Sequence, residues 1–164
     1  MSIQKTETAL FASGCFWGTE FHFKRQKGVL ETSVGFTGGH IKNPAYREVC
    51  RGTTGHAEVV KVVFDPAVVS YETLTRLFFE THDPTQVNRQ GPDVGTQYRS
   101  EIFVFSDEQA EIANQLIDVL VGDGLSVATK VTPAGPYYTA EDYHQDYYNK
   151  TGGSPYCHVY TKRF

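Results

Sequence analysis

The chain has 164 residues, with 15 Lys and Arg against 19 Asp and Glu, a net charge of −4 and 40% hydrophobic residues. That length and composition fit one soluble globular domain with a real core and exclude a disordered chain. The acidic balance excludes bulk nucleic-acid binding, which needs a basic footprint. No apolar run approaches the roughly 20 residues of a membrane helix, and the start, Met1-Ser2-Ile3-Gln4-Lys5-Thr6-Glu7, lacks a signal peptide's apolar stretch, so a cytoplasmic location is expected.

Taken in chain order, Thr8-Ala9-Leu10-Phe11-Ala12 reads as a short buried strand, followed by a helix over 16–25. Residues 30–36 read as a second strand, ending at the breaker Gly38-Gly39. The β-branched run Val59-Val60-Lys61-Val62-Val63-Phe64 is the strongest strand signal, stopped by Asp65-Pro66. Ser70 is placed to cap a helix running to Glu80, with Leu74, Leu77 and Phe78 on one face. A long polar loop is expected over 82–97, and another strand at Ile102-Phe103-Val104-Phe105. Ser106, with Gln109 three residues on, predicts a capping box and a helix whose apolar face is Ile112, Leu116, Val119 and Leu120, ended by Gly122 to Gly124. A last strand is expected over 126–131, and a short helix capped by Thr139 over 140–148; the tail 152–164 has no period and reads as irregular. Strands and helices alternate with long loops between them. The expected fold is α+β: a central mixed sheet with flanking helices, a ferredoxin-like (split βαβ) core and an irregular C-terminal tail, in a single domain over 1–164.

Three cysteines is an odd number, and a stable disulfide framework is not expected at this size in this compartment. Cys15 lies in Gly14-Cys15-Phe16-Trp17-Gly18, where a strand hands over to a helix. A thiol at a helix N-terminus faces unpaired N–H groups and the positive dipole end, both of which favour thiolate. Phe16 and Trp17 could wall an apolar pocket beside it; on geometry alone they could equally be core. Gly55-His56-Ala57-Glu58 puts a carboxylate at the start of an apolar strand. There it is either an exposed edge charge or a desolvated acid able to donate a proton near neutral pH. The polar loop Asn88 to Ser100 and the loop residue Tyr46, after Asn43-Pro44-Ala45, are open to either reading.

Together these segments resemble the A-type methionine sulfoxide reductases. The resemblance runs through Gly14-Cys15-Phe16-Trp17-Gly18, Gly38-Gly39, Asn43-Pro44-Ala45-Tyr46-Arg47-Glu48-Val49-Cys50 and Gly55-His56-Ala57-Glu58-Val59-Val60. It continues through His82-Asp83-Pro84-Thr85-Gln86, the loop 89–100 and Ala140-Glu141-Asp142-Tyr143-His144-Gln145. Pro92 and Thr139 depart from the usual pattern, without touching a residue given a role.

The resemblance implies that Cys15 is the nucleophile on the sulfoxide sulfur and Glu58 the acid that protonates the departing oxygen. It implies Tyr46 and Tyr98 as hydrogen-bond donors to that oxygen, and Asp93 as the group orienting them. Phe16 and Trp17 would hold the substrate's S-methyl group, and Tyr156, beside Cys157, would help close the pocket. Attack leaves a sulfenic acid on Cys15, which a second thiol condenses to a disulfide. Cys157, in the tail after Gly152-Gly153-Ser154-Pro155-Tyr156, is the expected resolving residue and Cys50 the alternative, read as a packed thiol. Thioredoxin is the implied reductant, and methionine (S)-sulfoxide, free or in proteins, the implied substrate of a monomer. No cofactor is expected, because dinucleotide and phosphate motifs are missing. No metal is expected, because His22, His40, His56, His82, His144 and His158 are scattered. A thiol–disulfide oxidoreductase would want Cys-x-x-Cys, which Cys15 lacks, and a binding module that performs no chemistry would have no use for Cys15 beside Glu58.

Overall fold

The computed structural model describes residues 5–153, 158 and 160–164. Six strands form one mixed sheet in the order β7-β6-β1-β3-β2-β8. These are β1 (Glu7–Ser13), β2 (Val29–Thr37), β3 (Ala57–Phe64), β6 (Ser100–Val104), β7 (Lys130–Pro133) and β8 (Tyr137–Thr139). Neighbours are antiparallel except β6 and β7, which run parallel. A separate two-stranded hairpin joins β4 (Arg89–Gln90) to β5 (Asp93–Val94). The helices are α1 (Phe16–Lys24), α2 (Tyr46–Cys50), α3 (Tyr71–Glu80), α4 (Asp107–Gly122) and α5 (Tyr147–Thr151).

Both faces of the sheet are covered, which is why its strands read as nearly continuous apolar runs rather than strict alternations. The pleat sends Ala9 and Phe11 of β1, Val60, Val62 and Phe64 of β3, and Val34 and Phe36 of β2 to the helical face. There they meet Phe16 and Phe23 of α1, Leu74 and Phe78 of α3, and Leu116 and Leu120 of α4. Phe11 is the hub, with ring centroids 4.9 Å from Phe23 and 5.3 Å from Phe78. Leu10, Ala12, Ala57, Val59 and Phe103 form a smaller cluster on the other face under Ala134 and Tyr137.

The predicted caps are present. Ser70 Oγ accepts from Thr73 N at 3.0 Å and Ser106 Oγ from Gln109 N at 3.2 Å. Gln109 Oε1 reaches one residue further back than a capping box requires, to Phe105 N, and its amide donates to Thr8 O at 2.9 Å, so it ties α4 to β1.

Several expectations need correction. The predicted strand over 126–131 begins only at Lys130, where pairing with β6 starts, and extends to Pro133, which an edge strand tolerates. Thr139 caps no helix, because it ends β8 opposite Gly35. Beyond it the chain makes a 3-10 turn at Asp142–His144 and enters α5 through Asp146 in a left-handed conformation, φ +56°. Gln145 explains the break: its side chain pairs with both Val34 N and Val34 O, continuing the edge of β2 where a strand would. Val119 is 48% exposed, so the buried stripe of α4 runs through Ala113, Leu116 and Leu120. Tyr46 opens α2 rather than lying in a loop, and the long loop 82–97 contains the β4–β5 hairpin.

Candidate functional site

Antiparallel pairing of β1 and β3 builds the site. The register pairs Phe11 with Val60, and two more residues bring Ser13 level with Glu58. Cys15 then caps α1, 6% exposed, with its carbonyl accepting from Thr19 N and Thr19 Oγ1 at 3.4 and 3.3 Å. The Cys15 side chain therefore sits where the sheet ends and a nine-residue helix begins.

Glu58 shares the helical face with Val60, Val62 and Phe64, so the pleat carries a carboxyl into the apolar layer, where it is 1% exposed. Its Oε1 accepts from Phe16 N at 3.2 Å; Oε2 is buried with no hydrogen-bond partner among the described residues. Burial pushes the Glu58 pKa up to about 8, helped by the charge of Asp93, while the Phe16 amide pulls the other way. A carboxyl in that state is a proton donor near neutral pH, not an edge charge.

Phe16 is fully buried, its ring 5.6 Å from Phe36 and 6.1 Å from Tyr46. Trp17 is half-buried and stacks on Tyr147 with centroids 3.9 Å apart and planes 11° apart. Tyr46 and Tyr98 are half-buried; burial, and then the Glu58 charge, hold both phenols protonated, well above the usual tyrosine range. Tyr98 also lies in the field of Cys15, Cys50 and Asp93, and Asp93, at the start of β5, faces the same cluster. The structure thus brings together Cys15, Phe16, Trp17, Tyr46, Glu58, Asp93 and Tyr98 from five separate stretches of chain. The remaining expected residues, Tyr156 and Cys157, lie outside the described residues. Cys50, expected as a packed thiol, is exposed, and its sulfur lies close enough to the Tyr46 and Tyr98 hydroxyls to feel them.

Sequence reasoning missed a layer beneath these groups. His158 is 3% exposed and its Nε2 donates to Ser13 O at 2.6 Å, while the His22 ring bonds the His158 carbonyl. Gly18 makes room for it: a Cβ there would lie 2.2 Å from His158 Nδ1. The space a side chain would fill at this position is taken by the His158 ring. Gly14, at φ +92°, would likewise put a Cβ 2.7 Å from Gln90 Cβ. Further along, Thr161 N and Arg163 N bond to Glu80, and Arg163 Nε donates to Phe79 O at 2.8 Å. The described part of the tail is irregular, as expected, yet firmly attached. The spacing of glycines around Cys15 was the available signal for this contact.

A cleft of about 520 Å³ lined by Thr8, Leu10, Lys61, Tyr71, Gln109 and Tyr137, among others, includes none of the residues gathered at Cys15. Among the described residues no helix is long and apolar enough to cross a membrane.

A sequence model described as peptide methionine sulfoxide reductase matches residues 7–164. A peptide methionine sulfoxide reductase MsrA of Saccharolobus solfataricus is 49% identical over 154 residues, spanning 93% of this chain and 87% of the relative. The crystal structure of reduced Mxr1 from Saccharomyces cerevisiae superposes with a TM-score of 0.89 at 36% identity, covering 97% of this chain and 94% of that one. Mxr1 in complex with Trx2 matches with a TM-score of 0.64 at 25% identity, covering 97% and 92%.

Proposed function

The chain belongs to the peptide methionine sulfoxide reductase family, of the A type, and from that premise we propose a thiol cycle in which Cys15 and Glu58 do the chemistry on the (S)-epimer of methionine sulfoxide. The observation that carries it is the buried Oε2 of Glu58, without a hydrogen-bond partner among the described residues and on a carboxyl held protonated up to about pH 8, beside the helix that Cys15 caps. The Cys15 thiolate attacks the sulfoxide sulfur. Glu58 supplies a proton to the oxygen, a poor leaving group without it. The Tyr46 and Tyr98 hydroxyls donate to that oxygen as negative charge grows on it, and Asp93 orients them. Phe16 and Trp17 receive the S-methyl group, and Tyr156 helps to close the pocket. A pocket apolar on one side and hydrogen-bonding on the other accepts one configuration at sulfur.

The balance is closed. Sulfoxide and one thiol give methionine and Cys15 sulfenic acid. Condensation with the Cys157 thiol gives a disulfide and water. A dithiol then takes over the disulfide and returns both cysteines to thiols. For Mxr1 a complex with Trx2 is known, and we assign a thioredoxin the same place here. The reading takes the chain as one domain with a split βαβ core, β3 lying between β1 and β2, acting as a monomer. It places the protein in the cytoplasm, where thiols stay reduced, on free or protein-bound substrate.

Mass spectrometry of the enzyme after one turnover without reductant tests the cycle. A Cys15–Cys157 disulfide is expected; a Cys15–Cys50 bond would reassign the resolving residue, and an unmodified Cys15 would overturn the mechanism.

A further inference from the structure

His144 takes no part in the chemistry above, yet it is 1% exposed and sits among the aromatic residues of the site. Trp17 Nε1 donates to His144 Nδ1 at 3.1 Å. Indole N–H is a donor only, so Nδ1 must be the bare acceptor nitrogen and the ring proton is on Nε2. Nε2 has no hydrogen-bond partner among the described residues, and Glu141 Oε2 lies 3.8 Å from it. The imidazole also packs on Tyr46, centroids 4.1 Å apart, and on Phe16 at 5.5 Å. Glu141 in turn accepts from Tyr46 N at 3.3 Å and from the Tyr143 hydroxyl at 3.1 Å. One ring therefore touches both sides of the proposed substrate site: the apolar wall and one oxygen-binding tyrosine.

We propose that His144 is a positioning residue: by accepting the Trp17 indole N–H while packing on Tyr46, it sets the wall that receives the S-methyl group. Stacking on Tyr147 holds one face of the indole but leaves it free to slide and turn in its own plane. A hydrogen bond at Nε1 removes that freedom, because its direction is fixed in the ring plane. This rests on the proposed role of Trp17, and the test separates the two.

Trp17 is the only tryptophan in the chain, so its signals have no overlap. In the wild type, the single indole N–H resonance should be protected from exchange with water; rapid exchange overturns the proposal without any variant. His144→Phe keeps an aromatic ring on Tyr46 and removes the acceptor. It should lower the anisotropy of Trp17 emission and raise KM for N-acetyl methionine sulfoxide about fivefold, the size of one net hydrogen bond, with a smaller change in kcat. His144→Asn offers Oδ1 near the position of Nδ1 and should restore both quantities most of the way. Unchanged anisotropy in His144→Phe sinks the proposal. So does changed anisotropy with unchanged KM when Trp17→Phe itself raises KM. If neither variant moves KM, the assigned role of Trp17 fails first and His144 loses its function with it.

Discussion

The Phe16 amide donates to Glu58 Oε1 at 3.2 Å, across 42 residues of sequence. It joins the first turn of the helix that Cys15 caps to the strand that carries the acid. The bond satisfies one oxygen of a buried carboxyl and leaves the other without a hydrogen-bond partner among the described residues. It also lowers the Glu58 pKa against the burial that raises it, and burial dominates.

That balance predicts a pH profile. The pre-steady-state rate of sulfoxide reduction should lose the contribution of Glu58 as pH rises through about 8, where the carboxyl ionises. Glu58→Gln should slow this step by about 100-fold or more and remove that limb; an unchanged rate takes the acid role away. Stability follows the same group with a definite sign. A carboxyl whose folded pKa exceeds its unfolded value binds more protons when folded. Its contribution is therefore most favourable below about 4.5 and falls as pH rises toward about 8. Urea denaturation of Glu58→Gln should show a flatter pH dependence across that window.

Tyr46→Phe and Tyr98→Phe should each reduce kcat by roughly tenfold to a hundredfold, with KM less affected, because the oxygen gains charge only in the transition state. The double variant should lose less than the product of the two, the outcome expected of two donors to one atom. Stopped-flow single turnovers measure all three; full additivity would indicate separate roles.

Cys157→Ser should give one equivalent of methionine and then stall with thioredoxin as reductant. Cys50→Ser, which keeps a small polar group beside the two tyrosines, should continue to turn over. The reverse pattern would move the resolving role to Cys50, whose exposed sulfur already lies against Tyr46 and Tyr98.

Gly18→Ala should destabilise the fold by about 1–3 kcal/mol, because the added methyl meets a buried ring instead of a flexible side-chain end. Adding His158→Ala should recover part of that loss, and a thermal-melt double-mutant cycle measures the coupling. Independent cycles would mean that the contact carries no energy. The acid limb is related. His158 and His82 are buried neutral, with pKa values pushed down by burial to about 4 and about 3. Folded values below the ordinary 6.5 mean that stability falls as pH drops from about 6.5 toward 4. His158→Ala should weaken that dependence.

The strands β1, β3 and β6 were legible because their sides are apolar on both faces, and α3 and α4 because Ser70 and Ser106 announce them. Thr139 looked like one more cap. Local chemistry allows it that role, but pairing with Gly35 and the Gln145 side chain on Val34 outweigh a single capping bond. Tyr46 looked like a loop residue because a five-residue helix is too short to show a period. His144 carried no local sign of its partner, since Trp17 is 127 residues away.

By itself the sequence determined which groups are present: a thiol at a strand-to-helix junction, a carboxyl at the head of an apolar strand, and a set of motifs in a family's order. Those are properties of short stretches, where propensity and residue chemistry act locally. Only the tertiary structure decided what state the groups are in. Glu58 is an acid near neutral pH because antiparallel pairing with β1 and the cover of α1 strip water from it. His158 is neutral because Gly18 admits its ring. Desolvation depends on every neighbour at once, and no neighbour that matters here is close in sequence.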